Sequence, residues 1–465
     1  MPLPPQPANN LTLAKENAPQ LPSFKVTLGN REVVFIEPQA AIKEVIFKDY
    51  QSSRFPLSHG LLVGDDKLVF HKESIAENSV KFAYTGQDKR ITKQFKFSNS
   101  NYSIELEIGI ENLTSLPIEV NLPLVLGVLD FSRDQMQARF QDIAVALKDK
   151  TVYFNGRKEM IFEGVRFLSL RDRYFCEIVK PASEGWRGFI RKVNPKESEA
   201  GFTINQAALG AGQTLKQSFR IYLGPQDLQL MIRHDPEFSA VIYYGAFDFI
   251  GQMLLQLLGF LYRLLHSWGW AIVALSLIIY FILFPLSLKQ MRSMKSMQAL
   301  QPVIEQLRAT YKDNPQKLNK EIMELYRQHK VNPLSGCLPL VLQIPIFFAL
   351  YQVLIRSVAL KGANFLWIKD LSGPDRLFTL PVSLPILGNE INILPILMAI
   401  GMFIQQKTSM KTMSSGSAEQ QKLMLFLFPL MFGFIFYHMP AGLVLYWFIN
   451  STLMLIYQMR INRQK

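Results

Sequence analysis

Residues 271–288 read AIVALSLIIYFILFPLSL, an uncharged apolar stretch that runs directly into the basic, methionine-studded segment KQMRSMKSMQALQ. A charge-free segment of this length is what crossing about 30 Å of hydrocarbon as an α-helix requires. Ahead of it, polar and apolar residues alternate as in a water-soluble domain; behind it, long apolar runs recur. The stretch marks the entry into a membrane-embedded half.

The 465 residues, with a formal net charge of +13, leave room for two or three domains. A basic excess fits nucleic acid, anionic lipid or the cytoplasmic loops of a membrane protein. The positive-inside bias of short loops explains it most simply, so no direct nucleic-acid partner is expected. The two cysteines, Cys176 in the soluble half and Cys337 at the start of an apolar run, are expected on opposite sides of a membrane. They imply no disulfide framework. The opening MPLPPQPANN lacks a basic n-region and an apolar h-region, so residues 1–22 read as a disordered lead.

Residues 23–240 break into short β-rich runs, among them FKVTL, EVVFI, VKFAYTG, ITKQFKF and YSIELEIGI, separated by Gly, Asn, Asp and Pro. Period-two alternation such as Tyr102, Ile104, Leu106, Ile108 and Ile110 predicts an all-β sandwich. His59, His71 and His234 stand alone, and no carboxylate pair, metal spacing or Gly-rich phosphate loop stands out. The expectation is therefore no enzyme, no metal and no cofactor. A sandwich of this kind can carry a sugar or peptide cleft, but a docking module fits better. Asn112-Leu-Thr matches a glycosylation acceptor, a pattern too common by chance to weigh.

Residues 246–266 contain AFDFIGQMLLQLLGFLYRLL, which hydropathy alone makes a span. Asp248, Gln252, Gln256, Gly259 and Arg263 recur every three or four residues, however, and gather on one narrow stripe. That spacing favours a helix lying in the interface, with Trp268 and Trp270 anchoring the turn that follows.

After the 271–288 span come apolar segments at 338–355, 391–404, 423–437 and 443–457, several shorter than the ~20 residues a comfortable span uses. Their shortness predicts a thinned bilayer or a partly wet bundle. Cations collect after the first and third spans and at the end of the chain, which places those connections in the cytoplasm and the β domain outside. Within the loop 289–330, one amphipathic helix runs through Met294, Ile304 and Tyr311. A second opens at Asn314-Pro315, giving an antiparallel hairpin. Met291, Met294 and Met297, with Arg292 and Lys295, form a candidate surface for varied apolar partners, although mutual packing explains such faces equally well.

At this point four motifs, in their order and spacing, resemble the YidC/Oxa insertases: FPL at 284–286, VNPLSGCLP at 331–339, QIPIF at 343–347 and PAGLVLY at 440–446. The likeness is strong over residues 268–462. The soluble half resembles, more weakly, the periplasmic domain of Gram-negative YidC, most clearly at SLRDRYF, 169–175. The resemblance implies a multi-domain chain: an all-β supersandwich in the periplasm, an interfacial helix, and an α-helical core of five transmembrane helices with a cytoplasmic helical hairpin. The implied location is the bacterial inner membrane.

The implied function is a membrane protein insertase and chaperone working without ATP through a hydrophilic groove. Its partners would be nascent membrane proteins and the bilayer, with the Sec translocon, the ribosome and the signal recognition machinery as further candidates. On this reading Ser276, Tyr280, Gln343, Tyr446, Trp447 and Asn450 line the groove. For each polar residue the competing role is an interhelical hydrogen bond. A small-solute channel or transporter using the same groove is the alternative, and a carbohydrate-active β domain with a membrane tail a third reading. Two departures stand out. Where the family usually carries an Arg in its first core span, this chain has Tyr280. The membrane helix that normally precedes the periplasmic domain has no counterpart, so the chain reads as a truncated form or as a domain exported through its following span alone.

Overall fold

The computed structural model describes residues 21–99, 101–132, 139–156, 158–312, 314–329, 338–384, 388–410 and 418–463. Two compact units result, one holding the described residues up to Asp172 with Cys176–Gly224, the other Arg173–Phe175 with the chain from Pro225 onward.

The first unit is built from antiparallel sheets. Ser103–Asn112 has the predicted alternation, with Ile104, Leu106, Ile108 and Ile110 buried and Glu105 and Glu107 exposed. It pairs on both sides within a nine-stranded sheet whose outermost strand, His71–Ala76, is exposed throughout. Charged Lys72 and Glu73 on that strand discourage edge-to-edge pairing. A five-stranded sheet is centred on Glu197–Leu209, and a four-stranded sheet gathers Ser23–Leu28, Arg31–Ile36, Ala41–Phe47 and Ser53–Gly60. Phe35 of the four-stranded sheet meets Phe82 and Phe95 of the nine-stranded one with ring centroids 5.7 and 5.1 Å apart. Asn112 is buried and donates to the carbonyls of Leu116 (2.7 Å) and Leu209 (2.8 Å), so its sequon closes a turn. Cys176 is a buried free thiol, and Cys337 lies outside the described residues.

Two buried ionisable groups make the stability of this unit depend on pH. Lys93 takes an inward position of the KRITKQFKF strand and donates to the carbonyls of Ala40 and Leu61; burial pushes its ammonium down to about 7. Glu177 is fully buried, neither carboxyl oxygen has a partner among the described residues, and burial raises it well above 4.5. Above that value the unfolded chain releases a proton that the folded one keeps, so the stability conferred by Glu177 at low pH is lost as pH rises toward its folded value. Lys93 acts with the opposite sign, and only above about 7, where the unfolded chain keeps the proton longer. Between about pH 5 and 7, Glu177→Gln is therefore expected to remove a downward slope of up to about 1.4 kcal/mol per pH unit, measured by pulse proteolysis of the full chain in detergent.

The second unit is helical. Asp227 caps a short first helix, α1 (Leu228–His234), by accepting from Gln229 N and Leu230 N. Residues 225–240 thus fall with the helices, past the end of the last long strand at Pro225. Then come α2 (Asp248–Leu265), α3 (Trp268–Ala299), α4 (Gln301–Thr310), α5 (Pro315–Gln328), α6 (Leu338–Arg356), α7 (Ile393–Met410), α8 (Ala418–Tyr437) and α9 (Ala441–Arg463). The span and the first hairpin helix, read separately from the sequence, join: α3 continues through Pro285 to Ala299 and breaks at Leu300, where Pro302 in the next first turn cannot donate backward. Asn314 caps α5, accepting from Lys317 N at 3.0 Å, with Pro315 in the first turn.

Three stretches, Gly245–Leu265, Trp268–Lys289 and Ala441–Arg460, are long and apolar enough to cross a membrane; Val341–Arg356, Ile393–Thr408 and Leu425–Tyr437 are apolar but shorter. Helix α2 buries Gly251, Leu254, Leu258 and Leu261 and exposes Phe249, Met253, Phe260 and Leu264 beside Gln256 and Arg263. Asp248 takes hydrogen bonds from Tyr244 N and Gln252, so part of the polar stripe is satisfied within the helix. A hairpin absent from the sequence reading, Phe378–Leu384 with Gly388–Ile391, precedes α7. Arg173 belongs to this unit through its guanidinium, which donates to the carbonyls of Ile355 and Ser372, both at 2.7 Å.

Candidate functional site

Helix α9 carries most of the site, and backbone contacts fix where it starts. Gly442 N donates to Leu371 O (2.9 Å), and a Cβ at Gly442 would meet Ile272 Cδ1 at 3.0 Å and Leu371 O at 3.1 Å. Glycine at this position lets α9 sit close to α3 without displacing Ile272 or the Leu371 carbonyl. One turn later Tyr446 is fully buried, and its hydroxyl accepts a hydrogen bond from the amide of Gln343 on α6. Asn450, a further turn along, donates Nδ2 to the Tyr446 carbonyl at 2.9 Å. Gln343 and Asn450 are half-buried, so the line is buried at its centre and more accessible at both ends. Trp447 packs against Phe347, Phe432 and Phe436 with centroids 5.4 to 6.0 Å apart.

The remaining predicted groove residues lie on α3. Ser276 is fully buried and donates to Ile272 O of its own helix at 2.7 Å. Tyr280, half-buried, stands 5.7 Å from the ring of Phe284, which in turn meets Tyr457 of α9 edge-on at 5.0 Å. Among the described residues, no hydrogen bond joins Ser276 or Tyr280 to the Gln343–Tyr446–Asn450 line. The structure therefore joins Gln343 and Tyr446 side chain to side chain across α6 and α9, sets Trp447 in an aromatic wall beside them, and places Asn450 one turn further along, its amide, like the Ser276 hydroxyl, on a carbonyl of its own helix. Thr452 and Tyr457 extend the polar character of α9; the run Asn450-Ser-Thr452 inside an apolar helix was the available signal. From Trp268 to Leu288 on α3 and from Leu338 to Ile355 on α6 there is no charged side chain, so what the site offers is neutral hydrogen bonding.

On the last turns of α3, ahead of the α4–α5 hairpin in which the sequence placed them, Arg292 is exposed and Met297 half-buried, while the side chains of Met291, Met294 and Lys295 lie outside the described residues. Ile304 of α4 is buried; Val303 and Met323 are exposed. Among the described residues, no group of three or more His, Cys, Asp or Glu is placed to hold a metal ion.

A β-sandwich unit followed by apolar helices around a neutral polar line defines a multi-span membrane protein with a large extramembrane domain. Residues 260–465 match the family model described as 60Kd inner membrane protein, and residues 64–257 that of the YidC periplasmic domain. The membrane protein insertase YidC of Pelobacter propionicus is 32% identical over 493 residues, covering 96% of this chain and 89% of that one. Its counterpart in Syntrophobacter fumaroxidans is 34% identical over 385 residues, covering 80% and 68%. The chain belongs to the YidC family of membrane protein insertases. A crystal structure of an active YidC insertase with its first transmembrane domain resolved is 21% identical with a TM-score of 0.44, covering 94% of this chain and 92% of that one. A galactose mutarotase related enzyme from Lactobacillus acidophilus, 10% identical with a TM-score of 0.33, covers 43% of this chain.

Proposed function

We propose that this chain inserts nascent membrane proteins into the inner membrane through the Gln343–Tyr446–Asn450 line, without ATP. The observation that carries the reading is a line of neutral polar side chains inside a bundle whose helices are partly too short for an ordinary bilayer. An apolar length of 16 residues, as in Ile393–Thr408, spans about 24 Å against about 30 Å of hydrocarbon. Thinning shortens the path on which a polar segment lacks water, and neutral partners lower the cost of each buried polar group along it. Burial of the client's own apolar helix then drives the step. With Tyr280 and no cation between Trp268 and Leu288 of α3, the site receives polar segments by hydrogen bonding and needs no fixed charge to attract acids.

In this scheme α3, α6, α7, α8 and α9 cross the membrane, α2 lies in the interface, the hairpin of α4 and α5 faces the cytoplasm and the β domain the periplasm. The hairpin, with Arg292 and Met297, is the surface open to the ribosome, the signal recognition machinery or the Sec translocon. In cells depleted of their own insertase, the chain is expected to restore insertion of small one-span and two-span proteins; failure to restore any of them would contradict the proposal. A solute channel, the competing reading, would instead give saturable solute flux in liposomes.

A further inference from the structure

We infer that the trough between α7 and α8 holds one acyl chain of a bilayer phospholipid whose phosphate is bound by Arg376. The trough has a volume of about 450 Å³, and its wall atoms are carbon. Its floor exists because small residues meet there: a Cβ on Gly433 of α8 would stand 3.1 Å from Ala399 Cβ of α7. Exposed Ile396 and Ile400 rise on one side and exposed Leu430 and Phe434 on the other. Phe403 and Phe426, with ring centroids 5.4 Å apart, close one end. Just beyond the other end, at Ile391 and Tyr437, polar groups begin: the Tyr437 hydroxyl donates to Glu390 O at 2.8 Å.

Arg376 stands at this polar end. Its neighbour Leu377 donates its backbone N–H to Ile391 O (2.9 Å), and its own N–H goes to Asn392 Oδ1 (2.9 Å). Its φ is +42°, a left-handed conformation that non-glycine residues avoid unless the surroundings impose it. The guanidinium is 58% exposed and bonds Glu390 through Nε at 2.9 Å, which leaves further N–H donors of its fork for a phosphate.

Dimensions select the occupant. From Ile393, where α7 begins, to Phe403 the helical wall of the trough runs about 15 Å at 1.5 Å per residue, the ~15 Å depth of one leaflet. A helix with a diameter of about 11 Å fills roughly 150 Å³ per residue, so this volume admits only about three residues of a client helix or of a second copy. An extended hydrocarbon chain fits along the whole length, and the guanidinium at its end supplies the charge complement of a phosphodiester.

The proposal rests on α7 and α8 lying in the bilayer, which protection of single cysteines introduced at 396 and 430 from a membrane-impermeant thiol reagent tests separately. The direct test is native mass spectrometry of the full chain in mild detergent, titrated with phosphatidylglycerol and with phosphatidylethanolamine. The unaltered chain is expected to retain one phospholipid that survives detergent exchange. Ile396→Trp, grown over the trough from an exposed lip, should abolish retention; Leu427→Trp, exposed on α8 outside the lining, should leave it intact. Arg376→Gln should weaken retention of either lipid about tenfold, the worth of a charge-assisted hydrogen bond. Equal retention by the unaltered chain and Ile396→Trp would overturn the proposal. So would a photocrosslinker at Ile400 that captures a client helix or a second copy of this chain in place of lipid.

Discussion

Replacing Gly201 with alanine is expected to destabilise the β domain by about 3 kcal/mol, at the upper end of what overpacking costs. Gly201 lies in Glu197–Leu209 between Ile118–Asp130 and Trp186–Asn194, paired with Val125 on one side and Phe189 on the other. A Cβ there would fall 2.2 Å from Leu124 O and 2.8 Å from Phe189 Cζ. The first of these atoms is backbone of a paired strand and cannot retreat without opening the ladder, so the clash is not relieved by a rotamer change. Gly109→Ala provides the contrast. Its Cβ would meet only the Thr92 hydroxyl closely, at 2.7 Å, and that group can rotate away. Pulse proteolysis of both variants in urea should show a large loss of midpoint for Gly201→Ala and a small one for Gly109→Ala; equal midpoints would contradict the packing described at Gly201.

The second large effect concerns insertion. Gln343→Leu leaves the buried Tyr446 hydroxyl without its donor, and Tyr446→Phe leaves the Gln343 amide without its acceptor; each is expected to cost about 1 kcal/mol of helix-bundle stability. The double variant removes both groups and should recover most of that loss, since no polar atom is left stranded. Insertion of clients with polar translocated segments is expected to fall about thirtyfold in the double variant despite its restored stability, because each of the two neutral partners lost from the path costs roughly 1 kcal/mol. A stable double variant that inserts such clients at the original rate would reduce the pair to interhelical adhesive.

Much of this architecture could be read from local pattern. The alternation at Tyr102 to Ile110 locates a core strand, and Asn314 with Pro315 locates a helix start, because in both the determining contacts lie within a few residues. The inward Lys93 was legible in the same way, since Ile91, Phe95 and Phe97 share its face of KRITKQFKF. Tertiary contacts were not legible. Gln343 and Tyr446 are 103 residues apart and meet because α9 packs on α6, Leu354 of α6 lying 3.6 Å from where a Cβ on Gly442 would stand. Ser276 is polar in sequence, yet its hydroxyl is spent on its own helix, an option open to any serine or threonine in an apolar segment. The sequence reading runs one amphipathic helix from Met294 through Tyr311; the helix that passes through Pro285 instead extends to Ala299, and the break comes at Leu300, ahead of Pro302.

The central claim is that a polar client segment passes along the Gln343–Tyr446–Asn450 line. It is tested most directly by stalling a nascent membrane protein during insertion, with a photoreactive residue placed in turn at positions 280, 343 and 450 of this chain and, for comparison, at the outward-facing 427 and 430. The expected result is that the client's polar segment crosslinks to 343 and 450 and its apolar helix to neither. Crosslinks from the polar segment confined to 427 and 430, with none at 343 or 450, would contradict it.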